Sequence, residues 1–186
     1  MKKFKFLLLS ACIALVACTT KTSSEQQVSD KGTKWSWDKG TIVVETPERP
    51  AEQTSVIGLT IPKMEVVRVG FVGLGMRGPG AVERFTYIPG VEIVALCDYE
   101  KERAEKCQKY LQRASMPKAA IYSGEKGYEE LCKRDDIDLV YIATDWLHHF
   151  PVAMCAMENN KNVAIEVPSA MDLKECWALV LSLIHI

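Results

Sequence analysis

Between Val66 and Asp98 the chain runs from an apolar segment, Val66 to Val72, into a glycine loop, Gly73-Leu74-Gly75-Met76-Arg77-Gly78. A second apolar segment, Val91 to Cys97, then stops at Asp98. Few folds tolerate this arrangement. Each glycine answers a separate steric demand: a tight turn off a strand, close backbone approach to a ligand, and close packing of the following helix on a sheet. Backbone N–H groups at a helix N-terminus carry about half a positive charge, so a pyrophosphate is stabilised there without a lysine. Asp98 lies about twenty residues past Gly78, at the end of the next strand, where a carboxylate can accept from both ribose hydroxyls and repel a 2′-phosphate. The segment reads as a dinucleotide-binding half-site with NAD preferred over NADP. A glycine-rich turn of some other α/β domain, or a site for FAD or another adenine ligand, are the competing readings.

The segments that follow extend the same pattern. Glu100 to Ala114 has helical periodicity with its charges on one face, and Cys107 shares the other face with Ala104, Leu111 and Ala114. Residues 120–122 read as a short strand, 128–133 as a short helix, and the all-apolar run 139–143 as a central parallel strand buried on both faces. Pro151 stands near the start of the next helix, whose Ala153, Ala156 and Met157 point inward, and 162–167 is the next strand. Alternating strand and helix predicts an α/β fold, a doubly wound parallel sheet of the Rossmann type, spanning residues 65–180.

Ligands bind at the carboxyl ends of strands in such sheets. Those ends carry Gly73 to Gly78, Asp98, Thr144 to His149, and Glu166-Val167. His149 is a surface or capping side chain, or else a cofactor, substrate or catalytic residue beside the nicotinamide. Trp146 either packs on that ring or closes the pocket edge. Glu166 either bonds a ribose or substrate hydroxyl or is a solvated strand end.

The termini carry other signals. Lys2, Lys3 and Lys5 precede an apolar segment, Phe6 to Val16, which is too short to span a bilayer, so residues 1–17 read as an export signal. Leu15-Val16-Ala17-Cys18 resembles a bacterial lipobox, which implies cleavage before Cys18, acylation of its thiol, and anchoring of an exported lipoprotein to a membrane. The signal has no Arg-Arg pair. Residues 18–64 read as a polar tether, within which Trp35, Trp37 and the run Thr41 to Thr46 form a short strand packed on the domain or meet a partner chain. Asp172 with Glu175 is a capping-box pattern opening a last helix. The final Leu-Ser-Leu-Ile-His-Ile, 181–186, matches the translation of a common sequencing adapter, so the natural chain is expected to continue beyond Val180 with other residues.

Composition removes some classes of function. Lys+Arg 23 against Asp+Glu 24 leaves a net charge of -1, and no basic stripe follows residue 5, so nucleic acid is not an expected partner. Of seven cysteines, Cys12 leaves with the signal and Cys18 is lipidated. Cys97, Cys107, Cys132, Cys155 and Cys176 remain, an odd set without a Cys-x-x-Cys or a His/Cys cluster, so neither a disulfide framework nor a metal site is indicated. Oligomeric state leaves no mark on the sequence.

Over roughly residues 64 to 180 the chain resembles the glucose-fructose oxidoreductase, inositol dehydrogenase and MocA (Gfo/Idh/MocA) superfamily. That group has the glycine loop, then Thr-Pro-x-x-x-His after the fourth strand, then Gly-Lys-His-Val and Glu-Lys-Pro around the fifth. The corresponding segments here are Thr144-Asp-Trp-Leu-His-His149, Asn160-Lys-Asn-Val163 and Glu166-Val-Pro168. The lysine that acts near the oxidised hydroxyl in the sugar dehydrogenases is replaced by Val167. Glu-Val-Pro with Gly-Leu-Gly-Met-Arg-Gly and Trp-x-x-His is similar to the NAD-dependent glycosidases typified by α-N-acetylgalactosaminidase, glycosyl hydrolase family 109. This resemblance implies that Met76, Arg77, Asp98, Trp146, Leu147, His148, His149, Glu166 and Val167 line an NAD site. It further implies glycoside hydrolysis by transient oxidation. Hydride leaves the 3-hydroxyl carbon, the ketone acidifies the C2 hydrogen, the aglycone is eliminated, water adds, and hydride returns. A second, substrate-binding α+β domain and the remaining catalytic residues are expected beyond Val180. A conventional sugar dehydrogenase and a non-catalytic NAD-binding lipoprotein are the alternatives.

Overall fold

A computed structural model describes residues 26–28, 32, 34–45 and 60–182. The signal segment, Cys18 and residues 183–186 lie outside this range. Two units are present.

The first unit is a small antiparallel sheet of β1 (Gln27–Val28), β2 (Lys34–Asp38) and β3 (Thr41–Val44), in that spatial order. Lys39 and Gly40 both take positive φ, 49° and 84°, the geometry of the tight hairpin turn that matches strand twist. Trp35 and Trp37, two apart on β2, meet edge-to-face with centroids 6.3 Å apart. Within the run from Thr41, residues Thr41–Val44 are a strand, with Lys34–Asp38 as its antiparallel neighbour. Thr46 falls outside the described residues.

The second unit holds the parallel sheet. Its elements in chain order are β4 (Val67–Val72), α1 (Gly78–Phe85), β5 (Val91–Asp98), α2 (Lys101–Arg113), β6 (Ala120–Ser123), α3 (Gly127–Cys132), β7 (Leu139–Ile142), α4 (Trp146–Glu158), β8 (Asn162–Ile165) and α5 (Leu173–Ser182). The spatial order is β6-β5-β4-β7-β8, and every pairing is parallel. β4 is central, and the winding reverses between β4 and β7. This is the doubly wound sheet expected, and the reversal opens a crevice above the carboxyl ends of those two strands.

Each face of the sheet buries its own cluster. Val69, Phe71 and Leu96 pack with Ala81 and Val82 of α1 and with Ala104, Cys107 and Leu111 of α2. Val140 and Ile142 pack with Leu131 and Cys132 of α3 and with Val152, Ala153, Ala156 and Met157 of α4. An aromatic triad, Phe71, Phe85 and Tyr141, has centroids 5.2 to 5.3 Å apart and ties β4 and β7 to α1. At the opposite end of the strands, Arg68 makes a bidentate pair with Asp138, at 2.9 and 2.6 Å, while its own N–H donates to the same carboxylate.

Boundaries differ from the sequence reading in two places. Helix α4 begins at Trp146, because Asp145 caps it by accepting from the Leu147 N–H at 2.9 Å. Pro151 is thus inside the helix rather than near its first residue. Strand β8 ends at Ile165, so Glu166 and Val167 lie in the turn leading to a cis Val167–Pro168 bond. Helix α5 opens on the expected Asp172 cap, which accepts from the Glu175 N–H, while the Glu175 carboxylate reaches back to the Met171 N–H.

Candidate functional site

The carboxyl ends of β4, β5 and β7 surround a cleft of about 990 Å³. Its glycine loop shows different reasons for its three glycines. Gly73 has φ 92°, and a Cβ there would come 2.4 Å from the Thr144 nitrogen. A Cβ on Gly78 would sit 2.0 Å from the Gly73 carbonyl oxygen. Both are required by the protein's own backbone. At Gly75 a Cβ would meet only the Arg103 guanidinium, at 3.6 Å, an ordinary contact with a flexible tip. Packing of the chain therefore does not demand glycine at Gly75, whose bare backbone lines the cleft.

The donors are also in place. Helix α1 has no side-chain cap and no acid in its first turn. Among the described residues, the Gly75 and Met76 N–H groups have no hydrogen-bond partner. A pyrophosphate supplies what such a helix start lacks.

Asp98 is 6% exposed and lines the cleft. Its Oδ2 accepts from the Leu74 N–H at 2.6 Å, and its Oδ1 accepts from the Glu100 N–H at 2.9 Å. The acid expected to hold a ribose thus also fastens the glycine loop to the end of β5. An ionised carboxylate has about four acceptor positions, so further hydroxyl donors can still be received.

On the other side of the crevice, His149 is 1% exposed, with Nδ1 2.7 Å from the Pro168 carbonyl and Nε2 3.1 Å from that of Thr144. Both ring nitrogens face main-chain carbonyls, so the ring sits between the β7–α4 turn and the turn after β8, and a neutral imidazole donates to one of these carbonyls and not to both. The neighbouring His148 is more open, and its Nδ1 lies 2.7 Å from Asp145 Oδ2. Partial burial acts to raise the Asp145 carboxyl, but the His148 hydrogen bond and charge, together with the Leu147 and His148 backbone N–H groups, outweigh it and hold that carboxyl below the usual carboxylate range. Glu166 accepts from the Tyr141 hydroxyl at 2.7 Å, which links the aromatic triad to the cleft wall. Burial first, and then Glu166, raise the Tyr141 hydroxyl above its ordinary value.

Most of the residues singled out from the sequence lie on the cleft wall: Gly73, Gly75, Met76, Arg77, Asp98, Thr144, Trp146, His148, His149, Glu166 and Val167. Gly78 and Leu147 do not. Gly78 packs helix α1 against the loop, and the Leu147 side chain is exposed outside the cleft. Met76 and Val167 are 89% and 83% exposed, so they are apolar surfaces that a ligand in the cleft would cover. Sequence reasoning missed Tyr99, Arg103 and Tyr128, which line the side nearest β6. Tyr99 and Arg103 follow Asp98 closely enough to be found, whereas nothing in the β6–α3 turn announces Tyr128.

A family model described as an oxidoreductase family with an NAD-binding Rossmann fold, Gfo/Idh/MocA, matches residues 67–183. The chain belongs to this family. Its second unit is an NAD-binding Rossmann domain of the oxidoreductase type. The chain is 74% identical over 182 residues to glycosyl hydrolase family 109 protein 5 of Phocaeicola vulgatus, a match covering 97% of this chain and 35% of the relative. To glycosyl hydrolase family 109 protein 1 of Bacteroides thetaiotaomicron it is 56% identical over 177 residues, 95% of this chain and 36% of the relative. It therefore spans about a third of the length of the curated relatives it matches. Among solved structures, myo-inositol dehydrogenase from Lactobacillus casei in complex with NAD(H) and myo-inositol is 27% identical with a TM-score of 0.55, covering 63% of this chain and 33% of that one. GenD2 from gentamicin A biosynthesis in complex with NAD, at 21% identity and TM-score 0.55, covers 67% of this chain and 34% of its own and shares the fold.

Proposed function

We propose that this chain is the NAD-holding part of a glycosidase that hydrolyses α-N-acetylgalactosaminides, or related glycosides, by transient oxidation and re-reduction. Val167 carries the reading. It stands on the cleft wall where the sugar dehydrogenases of the superfamily keep a lysine, and valine can neither take nor give a proton. The 74% identity to a protein named for glycosyl hydrolase family 109 supports the same assignment.

NAD, when bound, supplies a hydride acceptor that later returns the hydride. The chain does the positioning. The Gly75 and Met76 N–H groups would hold the pyrophosphate at the uncapped start of α1, and Asp98 would receive the adenosine ribose. His149 sits between the two turns on the opposite side of the crevice, where the nicotinamide end would lie. Glu166, oriented by Tyr141, offers a carboxylate oxygen to a sugar or ribose hydroxyl. A ketone beside a C–H bond makes that hydrogen acidic enough for an ordinary general base, which removes the need for the two opposed carboxylates of a conventional glycosidase.

The test is cleavage of an aryl α-N-acetylgalactosaminide by the full-length protein without added coenzyme, with no net NADH formed. Stoichiometric NADH from a sugar alcohol or aldose would assign a dehydrogenase instead, a reading favoured by the likeness to myo-inositol dehydrogenase. Cofactor binding without turnover would assign a non-catalytic binder. Residues 1–18 support export and acylation at Cys18, placing the protein at a membrane surface. Labelled palmitate should enter the wild type and not Cys18→Ala; label in the variant would remove the anchor.

A further inference from the structure

We propose that the ion pair between Glu100 and Arg103 sets the discrimination between NAD and NADP. This rests on the assignment of the cleft to a nicotinamide dinucleotide.

Arg103 sits in the first turn of α2 with its guanidinium turned back over the end of β5. Nη1 is 3.5 Å from Asp98 Oδ1, and Nη2 is 3.3 Å from Glu100 Oε1. The same Nη1 is what a Cβ on Gly75 would touch. One cation therefore meets the ribose-side acid, the acid two residues on, and the glycine loop. A second cavity of about 500 Å³ opens at this junction. It shares Gly75, Met76 and Arg103 with the dinucleotide cleft and adds the cations Lys106 and Lys109.

Asp98 and Arg103 both line the dinucleotide cleft, so a 2′-phosphate on a ribose held by Asp98 would lie beside the guanidinium that Asp98 and Glu100 share. Asp98 alone does not decide the outcome. Each of its oxygens accepts a backbone N–H, and its charge faces Arg103. Lys106 is occupied by Glu102 at 3.7 Å. Glu100 is the exposed acid on this guanidinium: it lies outside the walls of both cavities and holds Nη2, which would otherwise be open to a phosphate oxygen. Arginine suits that task because its planar fork matches phosphate oxygens two at a time. The chain thus carries a phosphate-binding cation next to the ribose and keeps it neutralised.

The experiment is calorimetric titration of the whole chain with NAD and with NADP, in the wild type, Glu100→Gln, Glu100→Ala, Arg103→Ala and the Glu100→Ala/Arg103→Ala double variant. Both Glu100 variants should bind NADP about tenfold more tightly while NAD affinity stays within about twofold. The gain should vanish in the double variant, a coupling that a general loss of negative charge would not produce. It should also shrink as salt rises from about 0.05 to 0.5 M. An unchanged NADP-to-NAD ratio in the Glu100 variants, or a gain that survives removal of Arg103, would overturn the proposal while leaving the NAD site intact. A wild-type chain that takes up neither dinucleotide would overturn both. Retained NAD affinity in the Glu100 variants shows that the site is folded.

Discussion

Gly75→Ala separates a ligand requirement from a folding requirement. The added methyl meets only the end of the Arg103 side chain at 3.6 Å, and the backbone at Gly75 is not left-handed, so nothing in the fold opposes it. Reduced freedom of the unfolded chain would raise stability by about 0.4 to 1 kcal/mol. The same methyl occupies the surface over which Gly75 and Met76 present their free N–H groups. Holding a pyrophosphate off those two donors weakens charge-assisted hydrogen bonds worth about 1.5 to 3 kcal/mol each. A total loss of about 3 kcal/mol corresponds to an increase in Kd of roughly 150-fold. Gly78→Ala is the control, because its Cβ would sit 2.0 Å from the Gly73 carbonyl oxygen. Displacing that backbone costs at least about 1 to 3 kcal/mol. Thermal unfolding and NAD titration on both variants give the answer. If Gly75→Ala unfolds as readily as Gly78→Ala, or binds NAD within about threefold of wild type, the bare backbone at Gly75 is not kept for a ligand and the reasoning is refuted.

Other outcomes follow from the same structure. Asp98→Ala releases the Leu74 N–H from a buried carboxylate and should cost about 2 to 3 kcal/mol of stability in denaturant unfolding, besides abolishing NAD uptake. Loss of NAD without loss of stability would contradict its fastening of the loop. Burial, and then the Asp98 charge, push the Cys97 thiol from 9.0 up to about 12, and burial pushes Cys107 up to about 11. Unfolding lets both ionise more readily, so stability is whole below pH 9 and falls above it, until about pH 11 for Cys107 and about 12 for Cys97. The fall is at most about 1.4 kcal/mol per pH unit per thiol, and replacing both by Ala should reduce it, leaving the part due to the buried Cys132 thiol, which burial also pushes up. The Arg68 hydrogen bond holds the Asp138 carboxyl below 3.8, so its contribution is present above about pH 4 and lost as pH falls further. Asp138→Ala should cost about 2 kcal/mol at neutral pH and blunt the acid dependence.

Legibility in the sequence depends on the kind of signal. The glycine loop and Asp98 are readable because steric demands fix residue type at fixed spacing, and the parallel sheet follows from apolar runs such as Leu139 to Ile142. Helix period alone puts Cys107 with Ala104 and Leu111 in the core. The start of α4 is harder, because Pro151 is a strong opening signal and overshadows the Asp145 cap that sets the first turn. The double use of Asp98 is not readable at all: its bond to the Leu74 N–H depends on how closely β5 brings the acid to the loop. The same holds for His149, whose two carbonyl partners come from segments far apart in the chain. The nearness of Arg103 to Asp98 is readable from their spacing, but its contact with the Gly75 backbone appears only when the first turn of α2 carries the guanidinium over both.

Titration of the purified chain with NAD in a calorimeter tests the central claim most directly. One equivalent should bind per chain, or be released as free dinucleotide when the protein as isolated is denatured, and Gly75→Ala should lose it while remaining folded. A folded sample that neither takes up nor releases NAD would contradict the account.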